Sequence, residues 1–204
     1  MKKWTLYIIC IILSAGIISP AVYASDENDP EIIDPEDDVL LFALAYVPIL
    51  NPFCKHVDVI SGWFHESPDE PDILYATIKV NEYKPCRLLV AYALFFSYNS
   101  TSYAACAMIA RGDDYLVGLQ IQETNFIEIS DFYSINPTNN TITFTIPKEY
   151  IGNPEPGHVL ENPFALGAIR FVSENLADLL MRMVNSNILV ADFTIEGTDY
   201  MIQY

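Results

Sequence analysis

Short runs of β-favouring residues, separated by turn residues, are the feature that most constrains this chain. The run "ILYATIKV" alternates Leu74, Ala76, Ile78 and Val80 with polar or aromatic neighbours, as a strand buried on one face does. "NTITFTIP" alternates in the same way and ends at Pro147, which has no N–H to continue a ladder. The pattern predicts an all-β fold, an antiparallel two-sheet β-sandwich of roughly eight to ten strands.

Several elements can be placed on this pattern. Runs near 57–65 and 72–81 predict a hairpin centred near Pro68 and Asp69, and the continuously apolar run at 87–98 predicts a central strand buried on both faces. After Pro147, "KEYIG" predicts one helical turn stopped by Gly152. One amphipathic helix is expected at about 174–185, inserted to close an edge or end of the sandwich. Its apolar stripe consists of Leu176, Leu179, Leu180, Met183 and Val184.

The amino end has the pattern of a secretory signal peptide. Lys2 and Lys3 precede an apolar run, and a small-residue site follows at residues 22–24. We therefore expect cleavage after residue 24, a flexible acidic segment at 25–33, and a single sandwich domain over 34–204. An uncleaved anchor is the alternative, although the apolar run is shorter than the ~20 residues that span a bilayer. The expected location is extracellular or at the cell surface, with no membrane span after cleavage.

The charge balance excludes one class of partner. Loss of Lys2 and Lys3 changes the balance from 10 minus 27 to 8 minus 27, or −19. Such a surface repels phosphate backbones, so we expect no nucleic-acid partner. Divalent cations, basic proteins and neutral sugars suit the charge, and solubility alone also explains it.

Cysteines and sequons add expectations about covalent chemistry. The exported chain keeps Cys54, Cys86 and Cys106, an odd number in a disulfide-permissive compartment. The predicted hairpin favours a disulfide between Cys54 and Cys86, with Cys106 as a buried, inert thiol. Asn99 and Asn139 lie in N-x-[ST] sequons within predicted turns, which makes both candidate glycosylation sites unless the host lacks the pathway.

A run of acids at the start of the domain suggests a cation site. Asp34, Glu36, Asp37 and Asp38 place four carboxylates within five residues, and Ca²⁺ prefers such oxygen ligands. We predict a Ca²⁺ site that includes Asp34 and Asp38, with Asp58 as the distant ligand. A solvated acidic face is the alternative, since no EF-hand spacing is present.

The remaining polar residues give little indication of catalysis. No G-x-S-x-G elbow, H-E-x-x-H helix or Cys/His zinc spacing occurs. Aromatic side chains could instead form a ligand platform, for which Trp63 and Tyr75 are the candidates. Packing in the core or at an edge is the alternative role of both rings.

Five segments of the chain resemble the successive motifs of a group of secreted, chiefly archaeal β-sandwich domains. They are "DPEDDV", "VDVISGW", "PDILYATIKV", "NTITFTIPKEYIGNPEPG" and "ADFTIEGTDYMI". The similarity covers most of residues 34–204, and the group is similar in turn to DOMON domains and family 9 carbohydrate-binding modules. Asp37 stands where a glycine is usual in the first motif. The resemblance implies a sandwich fold, an extracellular location, and occurrence alone or beside secreted peptidase domains.

Together these features predict a secreted or cell-surface β-sandwich that acts as a non-catalytic binding or structural module. An extracellular glycan or a surface protein is the expected partner. The alternative is an extracellular hydrolase, or an accessory domain of a secreted peptidase system.

Overall fold

Two antiparallel sheets face each other around one apolar core, as the sequence pattern predicts. The structure is a computed structural model and describes residues 26–39, 55–85, 89–110, 113–122, 125–170, 188–194 and 197–204. The predicted helix at 174–185, the leader at 1–24, Cys54 and Cys86 lie outside the described residues. No helix among the described residues is long and apolar enough to cross a membrane.

The first sheet has five strands. In spatial order they are β1 (Ile32–Ile33), β2 (Val59–Ser67), β3 (Glu70–Val80), β9 (Thr141–Pro147) and β8 (Tyr133–Asn136). Ser67 pairs with Glu70 across the β2–β3 turn, which confirms the hairpin predicted around Pro68 and Asp69.

The second sheet places six strands side by side. Their spatial order is β11 (Ile188–Phe193), β10 (Val159–Arg170), β4 (Leu89–Tyr98), β5 (Thr101–Ala110), β6 (Asp113–Ile121) and β7 (Asn125–Glu128). A further short strand, β12 (Tyr200–Met201), pairs with β10. The central, two-sided burial predicted for the run at 87–98 is confirmed for β4, which lies between β10 and β5.

Side-chain alternation along the strands divides each sheet into two faces. On β4, Tyr92 and Leu94 enter the core between the sheets, whereas Ala91 and Ala93 join a separate apolar cluster with Cys106. Across the core, the rings of Phe64 and Phe96 meet edge to face, with centroids 5.5 Å apart. Such aromatic pairs fix the separation of the two sheets.

The described residues contain twelve strands, more than the eight to ten expected. The difference comes from short edge strands such as β1, β7, β8 and β12, which have two to four residues each. Segments this short cannot show a period of two in the sequence. The turn after Pro147 is a 3-10 helix, Lys148–Ile151, and Gly152 ends it in the left-handed conformation, as predicted.

Candidate functional site

Three aspartates converge at one end of the sandwich. Asp34, Asp38 and Asp192 each present a carboxylate oxygen, and these oxygens all lie within 4.8 Å of one another. Asp192 is 2% exposed, and the other two side chains are half-buried. Residues from the start and the end of the chain therefore meet in one acidic cluster.

Backbone hydrogen bonds fix where these aspartates stand. The N–H of Asp34 donates to the carbonyl of Ile60 at 3.1 Å, which extends the pairing of β1 with β2. Asp192 lies on β11 of the second sheet, and its Oδ2 accepts the N–H of Val59 at 2.7 Å. Because Val59 begins β2 of the first sheet, the Asp192 carboxylate joins the two sheets.

Asp58 lies beside the cluster and is fully buried, at 0% exposed. Its Oδ2 accepts hydrogen bonds from the N–H of Asp37 at 3.0 Å and from Nδ2 of Asn81 at 2.8 Å. Its Oδ1 is buried without a hydrogen-bond partner among the described residues. One oxygen of this carboxylate is thus held rigidly and the other is unsatisfied.

Burial and mutual repulsion act together on the cluster. Burial, followed by the charges of Asp38 and Asp58, raises the pKa of Asp34 to about 7. Burial, followed by the charges of Asp34, Asp38 and Asp58, raises the pKa of Asp192 to about 8. Burial also raises the pKa values of Asp38 and Asp58. All four groups resist carrying their negative charge together.

Of the three predicted ligands, the structure brings Asp34 and Asp38 together with Asp192, and it places Asp58 beside them without including it in that group. Asp192 was not among the predicted ligands, because its segment, "ADFTIEGTDYMI", entered the sequence analysis only as a resemblance motif. An acid inside a short run of apolar β residues was the available clue, because isolated aspartates are almost never fully buried without a partner.

The two aromatic candidates lie on the outer face of the first sheet. Phe64 and Ala76 enter the core, so the alternating residues Trp63, His65 and Tyr75 belong to the opposite face. Trp63 is only 8% exposed, which leaves little of its indole accessible to a ligand.

Tyr75 is the more accessible ring of the pair. It stacks on the imidazole of His65, with ring centroids 4.8 Å apart and an angle of 11° between the planes. Its hydroxyl donates to Glu70. Beside this stack, the hydroxyls of Thr77 and Thr143 are 3.0 Å apart. We call this surface of Trp63, His65, Tyr75, Thr77 and Thr143 the aromatic face.

The other predicted positions are less connected to either site. Asn99 and Asn139 are both exposed in turns, Asn99 between β4 and β5 and Asn139 between β8 and β9. Cys106 is buried, its Sγ donates to the carbonyl of Gly118, and burial raises the pKa of the thiol to about 12. A thiol in this state is not a nucleophile.

An open groove of about 510 Å³ lies where the chain passes from β7 to β8. Glu128 and Asp131 are on its rim, and both are exposed. A glycosidase needs one carboxylic acid in a desolvated environment beside the second carboxylate. Glu128 and Asp131 are both exposed to solvent, so neither of them lies in such a desolvated environment.

Comparison with known proteins found no family model that matches the chain and no similar sequence among curated proteins.

Proposed function

We propose that the chain is an exported, non-catalytic binding module whose ligand is an uncharged extracellular glycan. The aromatic face supports this proposal most directly. Its stacked His65 and Tyr75 rings are both half-buried, and beside them lie the half-buried Thr143 and the exposed carboxylate of Glu70, which accepts the Tyr75 hydroxyl. Rings of this kind bind the apolar faces of sugars, while neighbouring hydroxyls and carboxylates hydrogen-bond to sugar hydroxyls.

Charge supports an uncharged ligand over an anionic one. With 27 acidic and 10 basic residues, the chain repels sulfated or phosphorylated polymers. The resemblance to secreted β-sandwich domains supports the extracellular location in which such a ligand is found. Export is part of the proposal and rests on the leader pattern of residues 1–24.

The proposal is tested with immobilised cellulose, xylan and chitin and with a soluble glycan array, using the exported form of the chain. We expect at least one glycan to be retained, and Tyr75→Ala to weaken its binding about tenfold or more, since stacked aromatic contacts dominate such interfaces. Phe164→Ala is the matched control, because Phe164 is an exposed aromatic residue on β10 of the second sheet.

Two results would count against this function. Absence of binding across the whole panel would exclude a glycan ligand of these classes. Cleavage of a retained glycan would instead favour the hydrolase alternative, for which Glu128 and Asp131 in the groove would be the first residues to replace.

A further inference from the structure

The acidic cluster poses an energetic problem that the glycan proposal does not address. An ionised carboxylate in a low-dielectric site is costly unless a cation or hydrogen-bond donors compensate it. The ion pairs found among the described residues join Lys79 to Glu27, Lys84 to Glu82 and Lys148 to Glu66. No lysine or arginine in this part of the chain compensates Asp34, Asp38, Asp58 or Asp192.

Individual buried carboxylate oxygens in this region also lack a hydrogen-bond partner. Asp58 is fully buried and anchored through Oδ2, and its Oδ1 has no partner in the described part of the chain. Oδ2 of Asp34 and Oδ1 of Asp38 are likewise buried and unsatisfied there. Buried polar atoms normally have a hydrogen-bond partner, so three unsatisfied carboxylate oxygens in and beside one acidic cluster require an explanation. A bound cation supplies one.

From this arrangement we infer that Asp34, Asp38 and Asp192, with the buried Asp58 beside them, form a binding site for one Ca²⁺ ion. Two ligands of the same Ca²⁺, each about 2.4 Å from it, can be at most about 4.8 Å apart. The oxygens of Asp34, Asp38 and Asp192 meet that limit. Asp58 lies outside this group of three, and its buried carboxylate adds a further acidic group beside the ion.

The donor set selects the class of metal. All four groups are carboxylates, and hard oxygen ligands suit Ca²⁺ and Mg²⁺ rather than Zn²⁺ or Cu²⁺. Mg²⁺ requires ligands at about 2.1 Å in near-ideal octahedral geometry, which brings two ligands within about 4.2 Å. Mg²⁺ also gives up its water ligands reluctantly, so a site built of several protein carboxylates favours Ca²⁺.

The ion would link distant parts of the chain at this cluster. Asp34 and Asp38 follow β1, Asp58 directly precedes β2, and Asp192 belongs to β11 of the second sheet. Ca²⁺ would therefore hold the two sheets together at this end, a role separate from ligand binding on the aromatic face.

Isothermal titration calorimetry of the full exported chain, first treated with chelator, tests the site. We expect one Ca²⁺ to bind per chain with Kd at or below about 10⁻⁴ M, and Mg²⁺ to bind more weakly. Asp192→Asn should weaken Ca²⁺ binding about tenfold or more while its amide oxygen still accepts the Val59 N–H, so the fold is kept. Asp131→Asn, an exposed acid of the groove rim, is the control and should bind as the unmodified chain does.

A second variant keeps the test valid if Asp192→Asn fails to fold. Asp38→Asn changes a half-buried side chain and should also weaken Ca²⁺ binding, with circular dichroism confirming retained strand content. Absence of Ca²⁺ binding up to about 10 mM, well above the range of extracellular calcium modules, would overturn the inference. Unchanged affinity in both folded variants would overturn it too.

Discussion

At the residue scale, Glu31 is the most unusual side chain outside the acidic cluster. It is buried, its Oε2 accepts the N–H of Phe64 at 2.9 Å, and its Oε1 has no partner among the described residues. Burial is the largest cause that raises its pKa from 4.5 to about 8. The folded protein therefore favours the protonated, neutral acid at neutral pH.

The sign of this effect on stability follows from linkage. Below pH 4.5 the folded and unfolded states both carry the Glu31 proton, so the group adds no pH dependence. Between pH 4.5 and about 8 the unfolded chain releases that proton while the folded chain keeps it. The free energy of unfolding should therefore fall as pH rises through this window, by at most about 1.4 kcal/mol per pH unit.

Glu31→Gln should remove this contribution. In urea unfolding at pH 5 and pH 8 with saturating Ca²⁺, we expect the variant to lose less stability between the two pH values than the unmodified chain. Glu149→Gln, an exposed acid in the 3-10 helix, is the control and should behave like the unmodified chain. Parallel pH profiles for the unmodified chain and Glu31→Gln would contradict the account.

Individual residues also show why Asp192 could not be predicted from the sequence as the other aspartates were. Asp34 and Asp38 stand in a visible acidic run, and Asp58 in a short motif beside a predicted strand. Asp192 is 154 residues beyond Asp38 along the chain and joins the cluster only through the pairing of β10 with β11. Local patterns do not carry information about which strand ends meet.

At the scale of elements, a buried ion pair connects the first sheet to the segment around β12. Lys148, in the 3-10 helix, pairs with Glu66 at the end of β2, and both side chains are almost inaccessible. Oε2 of Glu66 also accepts the hydroxyl of Tyr200 at 3.0 Å and the N–H of Gln203 at 2.6 Å. Lys148 donates in addition to the carbonyl of Tyr204.

Removing one partner of this ion pair should lower the free energy of unfolding much more than removing both charges. Lys148→Met leaves the Glu66 charge buried without its cation, which we expect to reduce the free energy of unfolding by about 3–5 kcal/mol. Lys148→Met combined with Glu66→Gln should recover part of this loss, because the remaining amide is neutral. Urea unfolding measures both. A double variant that is no more stable than the single one would argue against a buried charge as the cause.

Alkylation of the cysteines tests whether the chain contains the predicted disulfide. A disulfide between Cys54 and Cys86 stays a prediction, and by the chain-entropy model a loop of this length contributes about 3 kcal/mol. Without reductant, alkylation followed by peptide mapping should label no cysteine of the exported chain in the native state. Cys106 alone should react after denaturation, because its thiol is buried. Labelling of Cys54 and Cys86 in denaturant would exclude the disulfide.

Long strands were more predictable than short ones. β2, β3, β4 and β9 each have seven or more residues, enough for alternation or continuous burial to be visible in the sequence. β1 and β12 have two residues each, and their pairing depends on tertiary contact alone. Trp63 shows the corresponding limit for sites, because the sequence left a ligand platform and packing in the core or at an edge as alternatives, and only the structure shows that its side chain is 8% exposed.

At the scale of the whole molecule, we infer that a cation held by Asp34, Asp38 and Asp192, with Asp58 beside it, joins the two sheets. The N–H of Val59 donates to Asp192 across the sheets, and the N–H of Asp37 donates to Asp58. Both amides should become harder to expose when Ca²⁺ holds their acceptors in place, since ligand binding stabilises the state that binds it.

Amide hydrogen exchange followed by NMR, in Ca²⁺ and in chelator, tests this claim most directly. We predict that Ca²⁺ slows exchange of the Val59 and Asp37 amides about tenfold or more. The Phe64 amide, which donates to Glu31 instead, should slow much less. Equal exchange rates for Val59 and Asp37 in Ca²⁺ and in chelator would contradict the account.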